Sequence, residues 1–274
     1  MNRQEIGSMT ARGGFLNEKN ICKKFLNWKK DTEAQKWLKI MGYDYKKIDG
    51  LKAIHIPTRI SLETAIELGI TKEKYDETIR FKKADIQIRL EILIENTLYT
   101  ENLSLKKANR NAAFNQVDKR PVDAYKEMWG FSENIAKWLK LFTGEYNPEE
   151  YMDEINCEKL RDNRRIFFSE MPENVKNEII TFFRENKTIV VCDILKGRGG
   201  LSADWFLVTE KNENTIRWIL KHINFVLNHY SQGDVEVTRR GSLKIGRVTM
   251  QRKGGTPDPT SLQFKINPLS LFEE

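Results

Sequence analysis

The stretch Ala84–Lys106, ADIQIRLEILIENTLYTENLSLK, contains the clearest strand pattern in the chain. From Ala84 to Ile94, apolar and polar residues alternate with a period of two, which predicts a β-strand. A second strand is predicted near Asn102–Lys107, where Leu103 and Leu105 alternate with polar residues. Successive side chains of a strand point to opposite faces, so each predicted strand has one apolar and one polar face.

The polar faces of these strands bring three reactive side chains together if the strands are neighbours. Asp85 lies on the polar face of the first strand, and Ser104 and Lys106 share the polar face of the second. A carboxylate that binds Mg²⁺, beside a lysine that orients or deprotonates water, is the layout of a metal-dependent phosphodiesterase. An Asp and a Lys on adjacent strands are also typical of a surface ion pair, so the pattern alone leaves both interpretations open.

A carboxylate on the first amphipathic helix bears on this choice. After a Gly-Gly break, apolar residues recur at helical spacing from Phe15 to Phe25, and Glu18 lies on the same stripe. A carboxylate that faces a core is unfavourable unless it has a cation or a hydrogen-bond partner. Glu18 is therefore expected either to pair with a lysine at the core edge or to support the Asp85–Lys106 site.

The rest of the chain alternates helices and strands in both halves, which indicates a mixed α/β fold. Further helices are predicted at residues 2–11, 32–41, 122–129, 132–142, 172–186 and 214–230, with two short helices in 61–78. Further strands are predicted at residues 51–57, 188–195, 205–209, 234–238, 243–251 and 262–266. The acidic segment 146–163 is the best candidate boundary, between a domain at 1–145 and a domain at 146–274, although both sheets could form one continuous domain.

Composition restricts the class of protein. With 39% hydrophobic and 31% charged residues among 274, the chain is too apolar for a disordered protein and too charged for a membrane protein. Its three cysteines are scattered and lack CxxC spacing, which disfavours both a disulfide framework and a thiolate zinc site. Because neither a signal peptide nor a membrane-spanning run is evident, we expect a cytoplasmic protein.

Basic residues are concentrated in two segments. The segment Val237–Gly255 holds six lysines and arginines and no acidic residue, and Lys106–Arg120 holds five against the single Asp118. Such clusters are typical of a surface that binds a polyanion. They are equally typical of solvated surface strands, so charge alone does not decide between the two.

Sequence blocks in a fixed order add a resemblance. They include Glu5-x-Gly7-Ser8-x-Thr10-Ala11, Gly14-Phe15-x-Asn17-Glu18-Lys19, Phe114-Asn115-Gln116-Val117-Asp118-Lys119, Asp193-Ile194-Leu195-x-Gly197-Arg198-Gly199, Arg240-Gly241-Ser242, Gln251-Arg252-Lys253-Gly254-Gly255 and Leu262-Gln263-Phe264-Lys265-Ile266. This ordered set resembles type II restriction endonucleases of the HinPI type, short-site relatives of MspI. Two stretches do not match: residues 57–83, which we interpret as an insertion, and residues 146–163.

The resemblance implies a PD-(D/E)xK nuclease fold, with a central mixed sheet flanked by helices and a C-terminal α+β recognition region. It implies Mg²⁺-dependent cleavage of double-stranded DNA at a GCGC-type site, with 5′-phosphate and 3′-hydroxyl ends. It places the enzyme in a bacterial restriction system with a cognate DNA methyltransferase. We expect a monomer or a weak homodimer.

The resemblance also assigns catalytic roles. Asp85 stands where the family has its metal-binding aspartate, and Ser104-Leu105-Lys106 stands where the family has Gln-x-Lys. Leu105 is expected to offer its backbone carbonyl to the ion. Ser104 is the main departure, because a hydroxyl is a shorter and poorer metal ligand than the side chain it replaces. Gln87 or Glu18 could substitute, metal binding could be weaker, or the protein could be a DNA-binding protein with an impaired nuclease site.

DNA contacts are expected from four parts of the chain. By resemblance, Phe114 is an apolar wedge in the base stack, with Asn115, Gln116 and Lys119 beside it; the alternative is a core phenylalanine. The N-terminal helix, with Asn2, Arg3, Gln4 and Ser8, resembles a minor-groove helix. Lys196 and Arg198 lie in a Gly-rich turn that either meets phosphate or is a plain connection. A recognition and phosphate-contact strip is expected at Arg240, Ser242, Arg247, Gln251, Arg252 and Lys253.

Overall fold

The computed structural model of the chain describes residues 3–92, 97–108, 114–155, 159–211, 216–254 and 260–273, of which only the backbone is described at 3–12, 89–92, 97, 211 and 216. The chain forms two compact units that are interleaved in sequence. The larger unit comprises Glu5–Ala113, Leu195–Leu227 and Pro268–Glu274, and the smaller unit comprises Met1–Gln4, Phe114–Ile194 and Asn228–Asn267. The division predicted between residues 145 and 146 does not coincide with these units.

The larger unit is built on a five-stranded mixed sheet of order β1-β2-β3-β5-β6, with strands numbered along the whole chain. Its strands are β1 (Ile48–His55), β2 (Ile86–Ile92), β3 (Thr97–Ala108), β5 (Trp205–Lys211) and β6 (Ile216–His222). Strand β3 pairs in parallel with β5, and the other pairs are antiparallel. The predicted mixed α/β class and the predicted neighbourhood of β2 and β3 are both confirmed.

The first and the last helix of the larger unit differ from the sequence prediction. They are α1 (Arg3–Leu26), α2 (Thr32–Ile40), α3 (Leu62–Glu67) and α4 (Tyr75–Phe81), followed late in the chain by α9 (Ile223–Ser231), which ends in the smaller unit. Helix α1 is continuous through Gly13 and Gly14, where a break was expected. The long helix predicted at residues 214–230 is wrong, because its first half is strand β6, paired with β5, and only its second half is helical.

One face of the mixed sheet forms the core of the larger unit. Ile86 of β2 lies opposite Leu103 of β3, and both are fully buried with Phe25 of α1 and Trp37 of α2. The Phe25 and Trp37 rings lie 5.3 Å apart. Each such side chain contributes about 1.5–3 kcal/mol through burial of apolar surface. Because strand side chains alternate, burying this face directs the side chains between them to the other side of the sheet.

The smaller unit pairs an antiparallel sheet, of order β4-β10-β9-β8-β7, with four helices. Its strands are β4 (Asn115–Pro121), β7 (Val235–Val237), β8 (Leu243–Ile245), β9 (Val248–Arg252) and β10 (Ser261–Ile266). Its helices are α5 (Val122–Trp129), α6 (Glu133–Thr143), α7 (Glu173–Glu185) and α8 (Lys187–Leu195). The strand predicted at 188–195 is therefore wrong: this apolar run is a helix whose Val190, Val191 and Ile194 are fully buried, and a buried run shows no period that separates helix from strand.

The Gly-rich turn after α8 is shaped by close packing. Gly197 has a φ of +75°, and a Cβ at this position would lie 1.9 Å from the carbonyl oxygen of Phe81 at the end of α4. Gly199 has the same φ, and its Cβ would lie 2.7 Å from the hydroxyl oxygen of Thr78. Only glycine allows the turn to approach α4 so closely.

We therefore expect Gly197→Ala to lower the free energy of unfolding by more than about 2 kcal/mol, because it adds backbone strain to a steric clash. Gly14→Ala is the control: it lies in helix α1 with open space around it, and we expect a gain of up to about 1 kcal/mol. Urea denaturation measures both. Equal stability of Gly197→Ala and the wild type would contradict this account of the turn.

Candidate active site

The carboxylate of Asp85 is held at the start of β2 by the neighbouring strand. The backbone N–H of Leu105 donates a hydrogen bond to Asp85 Oδ2 at 2.6 Å, and the hydroxyl of Ser104 donates to the same oxygen at 3.3 Å. The Asp85 backbone N–H in turn donates to the carbonyl of Leu103 at 2.9 Å. These bonds fix the carboxylate beside β3, as the alternation of residues predicted, while leaving its side chain 28% exposed.

Three oxygens surround the ammonium group of Lys106. Lys106 Nζ lies 2.9 Å from the carbonyl oxygen of Leu105, 3.5 Å from Ser104 Oγ and 3.8 Å from Asp85 Oδ2. The cluster therefore already coordinates a cation with oxygen donors alone, the donor type that Mg²⁺ prefers. In the described part of the chain, no three His, Cys, Asp or Glu side chains lie close enough together to hold a metal ion. A metal at Asp85 therefore relies on the backbone carbonyl, the hydroxyl and water as well as the carboxylate.

Glu18 is paired, but its partner is a histidine. Glu18 Oε2 lies 2.9 Å from His55 Nε2, and both side chains are largely covered. The sequence analysis expected either a lysine partner for this carboxylate or a supporting role at the Asp85–Lys106 site, and it assigned no role to His55. The predicted apolar stripe is also shorter than expected, because Phe15 is 47% exposed whereas Phe25 is fully buried.

Lys82 is a second ammonium group near the site. Its Nζ donates a hydrogen bond to the carbonyl of Pro57 at 3.0 Å. Burial lowers the pKa of Lys82, and the nearby carboxylates of Asp85 and Glu18 oppose part of this shift. The sequence analysis assigned this lysine no role, because none of the motif blocks quoted there contains it.

Gln87, which the sequence analysis suggested as a substitute metal ligand, is hydrogen-bonded to a residue of the neighbouring strand. Its side-chain amide donates to Asn102 Oδ1 at 3.4 Å, and Gln87 is 1% exposed. Asn102 is itself tied by its amide to the carbonyl of Gly200 and by its backbone N–H to Asp204. Gln87 therefore lies in a closed polar network on the same side of the sheet as Ser104.

The family model of the R.HinP1I restriction endonuclease matches residues 71–272, about three quarters of the chain. The chain belongs to the R.HinP1I restriction endonuclease family. Its fold is similar to that of the restriction endonuclease MspI in a crystal structure with cognate DNA, with a TM-score of 0.60 at 12% identity over 97% of this chain and 93% of that chain. No curated protein matches the chain. Family and fold are therefore those of a type II site-specific deoxyribonuclease.

In this R.HinP1I family member, the predicted wedge residue is accessible. Phe114 is 53% exposed, which excludes the alternative of a core phenylalanine. Asn115, Gln116 and Lys119 follow it on β4, where Gln116 and Lys119 are exposed and Asn115 is half-buried. In the N-terminal helix, the structure describes Arg3, Gln4 and Ser8 by backbone only, and Asn2 lies outside the described residues. No helix in the described ranges is long and apolar enough to cross a bilayer.

In the predicted recognition strip, some residues are accessible to solvent and others contact protein side chains. Arg240 is exposed, and Ser242, Gln251 and Lys253 are half-buried. Arg247 instead contacts His229 and Gln232, with Nη1 2.8 Å from His229 Nδ1.

The side chain of Arg252 also contacts another protein side chain. Its side chain is 10% exposed, and Nη1 lies 3.8 Å from Asp162 Oδ2. The same carboxylate pairs with Arg164 and Arg165, at 3.0 Å and 3.6 Å. Asp162 is therefore the common partner of three arginines.

In the Gly-rich turn, Arg198 is likewise engaged. Its guanidinium lies over the Phe81 ring, 4.4 Å from the centroid, and its backbone N–H donates to the carbonyl of Phe81. Burial raises the pKa of Asp204, and the positive charge of the half-buried Lys196 opposes part of this shift. This turn is a packed connection, and a phosphate contact by Lys196 or Arg198 remains a prediction.

The arginine cluster around Asp162 yields a test of stability. Asp162→Asn should lower the free energy of unfolding by about 1–3 kcal/mol at neutral pH, because Arg165 and Arg252 lose their shared counter-charge. The hydrogen-bonded guanidinium of Arg164 lowers the pKa of Asp162 below its ordinary value. The folded-state pKa is thus the lower one, so the stabilisation is complete above the unfolded-state pKa of about 3.9 and is lost as pH falls through the folded-state value.

Urea denaturation of both proteins over a pH series measures this difference. It should stay constant between about pH 7 and pH 5 and shrink below about pH 4. A difference that persists unchanged at the acid end would show that Asp162 does not act through its charge.

Proposed function

We propose that this enzyme hydrolyses phosphodiester bonds in double-stranded DNA with Mg²⁺ as cofactor, at a short palindromic GCGC-like site, leaving 5′-phosphate and 3′-hydroxyl ends. The observation that carries the proposal is the convergence of Asp85 Oδ2, Ser104 Oγ and the Leu105 carbonyl on one cationic group. Membership of the R.HinP1I family supports the choice of DNA as substrate.

In this proposal, Asp85 and the Leu105 carbonyl are the groups that would hold the metal, and the Ser104 hydroxyl would hold a water beside it. The bound ion would supply charge neutralisation for the phosphate and acidification of water. The ammonium of Lys106, which donates to the Leu105 carbonyl at 2.9 Å, would be free to turn to the substrate if that carbonyl held a metal instead. Lys106 then orients the attacking water and stabilises negative charge on the phosphate oxygens. Water adds to phosphorus as the bond to the 3′-oxygen breaks.

The remaining charged groups take supporting roles. The carboxylates of Asp85 and Glu18 both act on the pKa of Lys82, and we assign Lys82 and Glu18, which is held by His55, to balance the charge around the metal. Phe114 is proposed as the wedge in the base stack, and Gln116 and Lys119 as its neighbours on the DNA. The strip from Arg240 to Lys253 supplies recognition and phosphate contacts through its accessible members.

We expect Lys106→Ala to lower the rate of DNA cleavage by a factor of about 10³ or more, while duplex binding changes by only a few-fold. Lys107→Ala is the matched control, because it removes the same charge from the next residue, whose side chain is exposed. A gel assay with unmethylated phage DNA and sequencing of the fragment ends gives the rate, the site and the overhang. A Lys106→Ala enzyme that cleaves at the wild-type rate would overturn the assigned role.

Ser104 decides between this enzyme and a DNA-binding protein with an impaired nuclease site. We expect the wild type to cleave DNA in Mg²⁺. We expect Ser104→Gln to lower the Mg²⁺ concentration that gives the half-maximal rate, because a longer oxygen ligand reaches the ion. Intact DNA in both Mg²⁺ and Mn²⁺, with sequence-specific retardation in a gel shift and cleavage restored in Ser104→Gln, would support the alternative instead.

A further inference from the structure

The outer face of the smaller unit's sheet carries amide and ammonium side chains in two rows. In the first row, Lys119 of β4 pairs with Gln263 of β10, which pairs with Gln251 of β9. In the second, Gln116 and Thr249 flank Lys265 in the same way. We call these six residues the amide–lysine face. The opposite face of the sheet carries Phe264, which packs against Tyr125 and Trp129 of α5.

The lysines at this face lack acidic partners. Of the residues that the structure describes, none forms an ion pair with Lys119, with Lys265 or with Lys253, which follows β9. Burial lowers the pKa of Lys253 and of Lys265, and the neighbouring lysine charges lower them further: Lys119 acts on Lys253, and Lys253 on Lys265. A cluster of like charges without counter-charge fits a polyanionic partner.

At the centre of this face, Gln263 has an unsatisfied acceptor. The residue is 2% exposed, and its amide Nε2 donates to the carbonyl of Arg252 at 3.1 Å. Among the described residues, no donor reaches its Oε1. A buried carbonyl oxygen without a hydrogen bond is unfavourable by about 1–3 kcal/mol. The bond to Arg252 fixes the amide so that oxygen, and not nitrogen, remains available.

An available carbonyl oxygen recognises a particular feature of a base pair. In the major groove, exocyclic amines are carried by cytosine N4 and adenine N6, whereas guanine and thymine present the acceptors O6 and O4. A fixed acceptor therefore accepts a hydrogen bond from cytosine or adenine and repels guanine or thymine. Lys119 and Gln251 flank Gln263 on the neighbouring strands, and Gln263 is 2% exposed, so a base would reach it once these two side chains turn away to contacts of their own.

We propose that Gln263 is a specificity-determining residue whose Oε1 accepts a hydrogen bond from an exocyclic base amine in the major groove, with Lys119, Lys253 and Lys265 binding the flanking phosphates. This inference rests on the proposed function, since it identifies how the same enzyme selects its site. In this inference Gln263 contacts the base, whereas the backbone carbonyl of Arg252 positions the Gln263 amide.

The test uses base analogues in the duplex that the wild type selects from a randomised pool. Each cytosine or adenine of the site is replaced in turn by its analogue without the exocyclic amine, 2-pyrimidinone or purine. Binding in Ca²⁺ is measured for the wild type, for Gln263→Met, which keeps the volume but not the acceptor, and for Lys244→Met. Lys244 is the control because it lies on the same sheet face but is paired with Glu236.

We expect one analogue position to weaken wild-type binding about tenfold and Gln263→Met binding by less than about twofold. Gln263→Met should bind the unmodified site about tenfold more weakly than the wild type, with an unchanged salt dependence, because no charge is lost. Lys244→Met should respond to the analogues like the wild type.

Equal losses for the wild type and Gln263→Met at every position would overturn the inference while leaving the proposed function intact. A Gln263→Met protein with a lower Tm and unchanged base preference would reduce Gln263 to a structural link to Arg252, and would also overturn it. A wild type that selects no sequence would refute the proposed function and, with it, this inference.

Discussion

The candidate active site depends on one hydrogen bond, from the backbone N–H of Leu105 to the carboxylate of Asp85 at 2.6 Å. It joins the start of β2 to β3 and sets which residues of β3 surround the carboxylate. The register of the two strands, with Ile86 opposite Leu103, places Ser104 and Lys106 beside Asp85 while Leu103 and Leu105 enter the core. Because a shift by one residue would exchange the two faces, the apolar core and the cluster of Asp85, Ser104 and Lys106 are fixed by the same strand pairing.

The consequence of Ser104 follows from this geometry. Ser104 Oγ lies 3.3 Å from Asp85 Oδ2, and the ammonium of Lys106 lies among the oxygens of Asp85, Ser104 and Leu105. In the proposed function, a divalent ion would compete with this ammonium for the same oxygens. Serine in place of the family's glutamine would then change both the number of metal ligands and how readily a metal displaces the lysine ammonium.

Local periodicity predicted strands β2 and β3, helices α5 and α6, and the meeting of Asp85, Ser104 and Lys106. It failed where tertiary pairing overrides local pattern. The spacing of Ile216, Ile219 and Leu220 fits a helix, but these residues form β6 because β5 offers a strand edge to pair with. His55 and Lys82 were missed because neither lies in a motif. His55 meets Glu18 from a strand 37 residues away, whereas Lys82 lies only three residues before Asp85 and carries no pattern of its own. The sequence also could not show that Arg247 and Arg252 are bound to other protein side chains, because their partners lie 15 or more residues away.

The central claim, that the oxygens around Asp85 form a divalent-metal site shared with Lys106, is tested most directly by anomalous diffraction from crystals soaked in Mn²⁺. The account predicts a single strong peak at about 2.0–2.4 Å from an Asp85 carboxylate oxygen and from the Leu105 carbonyl, with the Lys106 ammonium displaced from that carbonyl. A peak elsewhere, for example at the Glu18–His55 pair, or Lys106 still bound to the Leu105 carbonyl at saturating Mn²⁺, would contradict it.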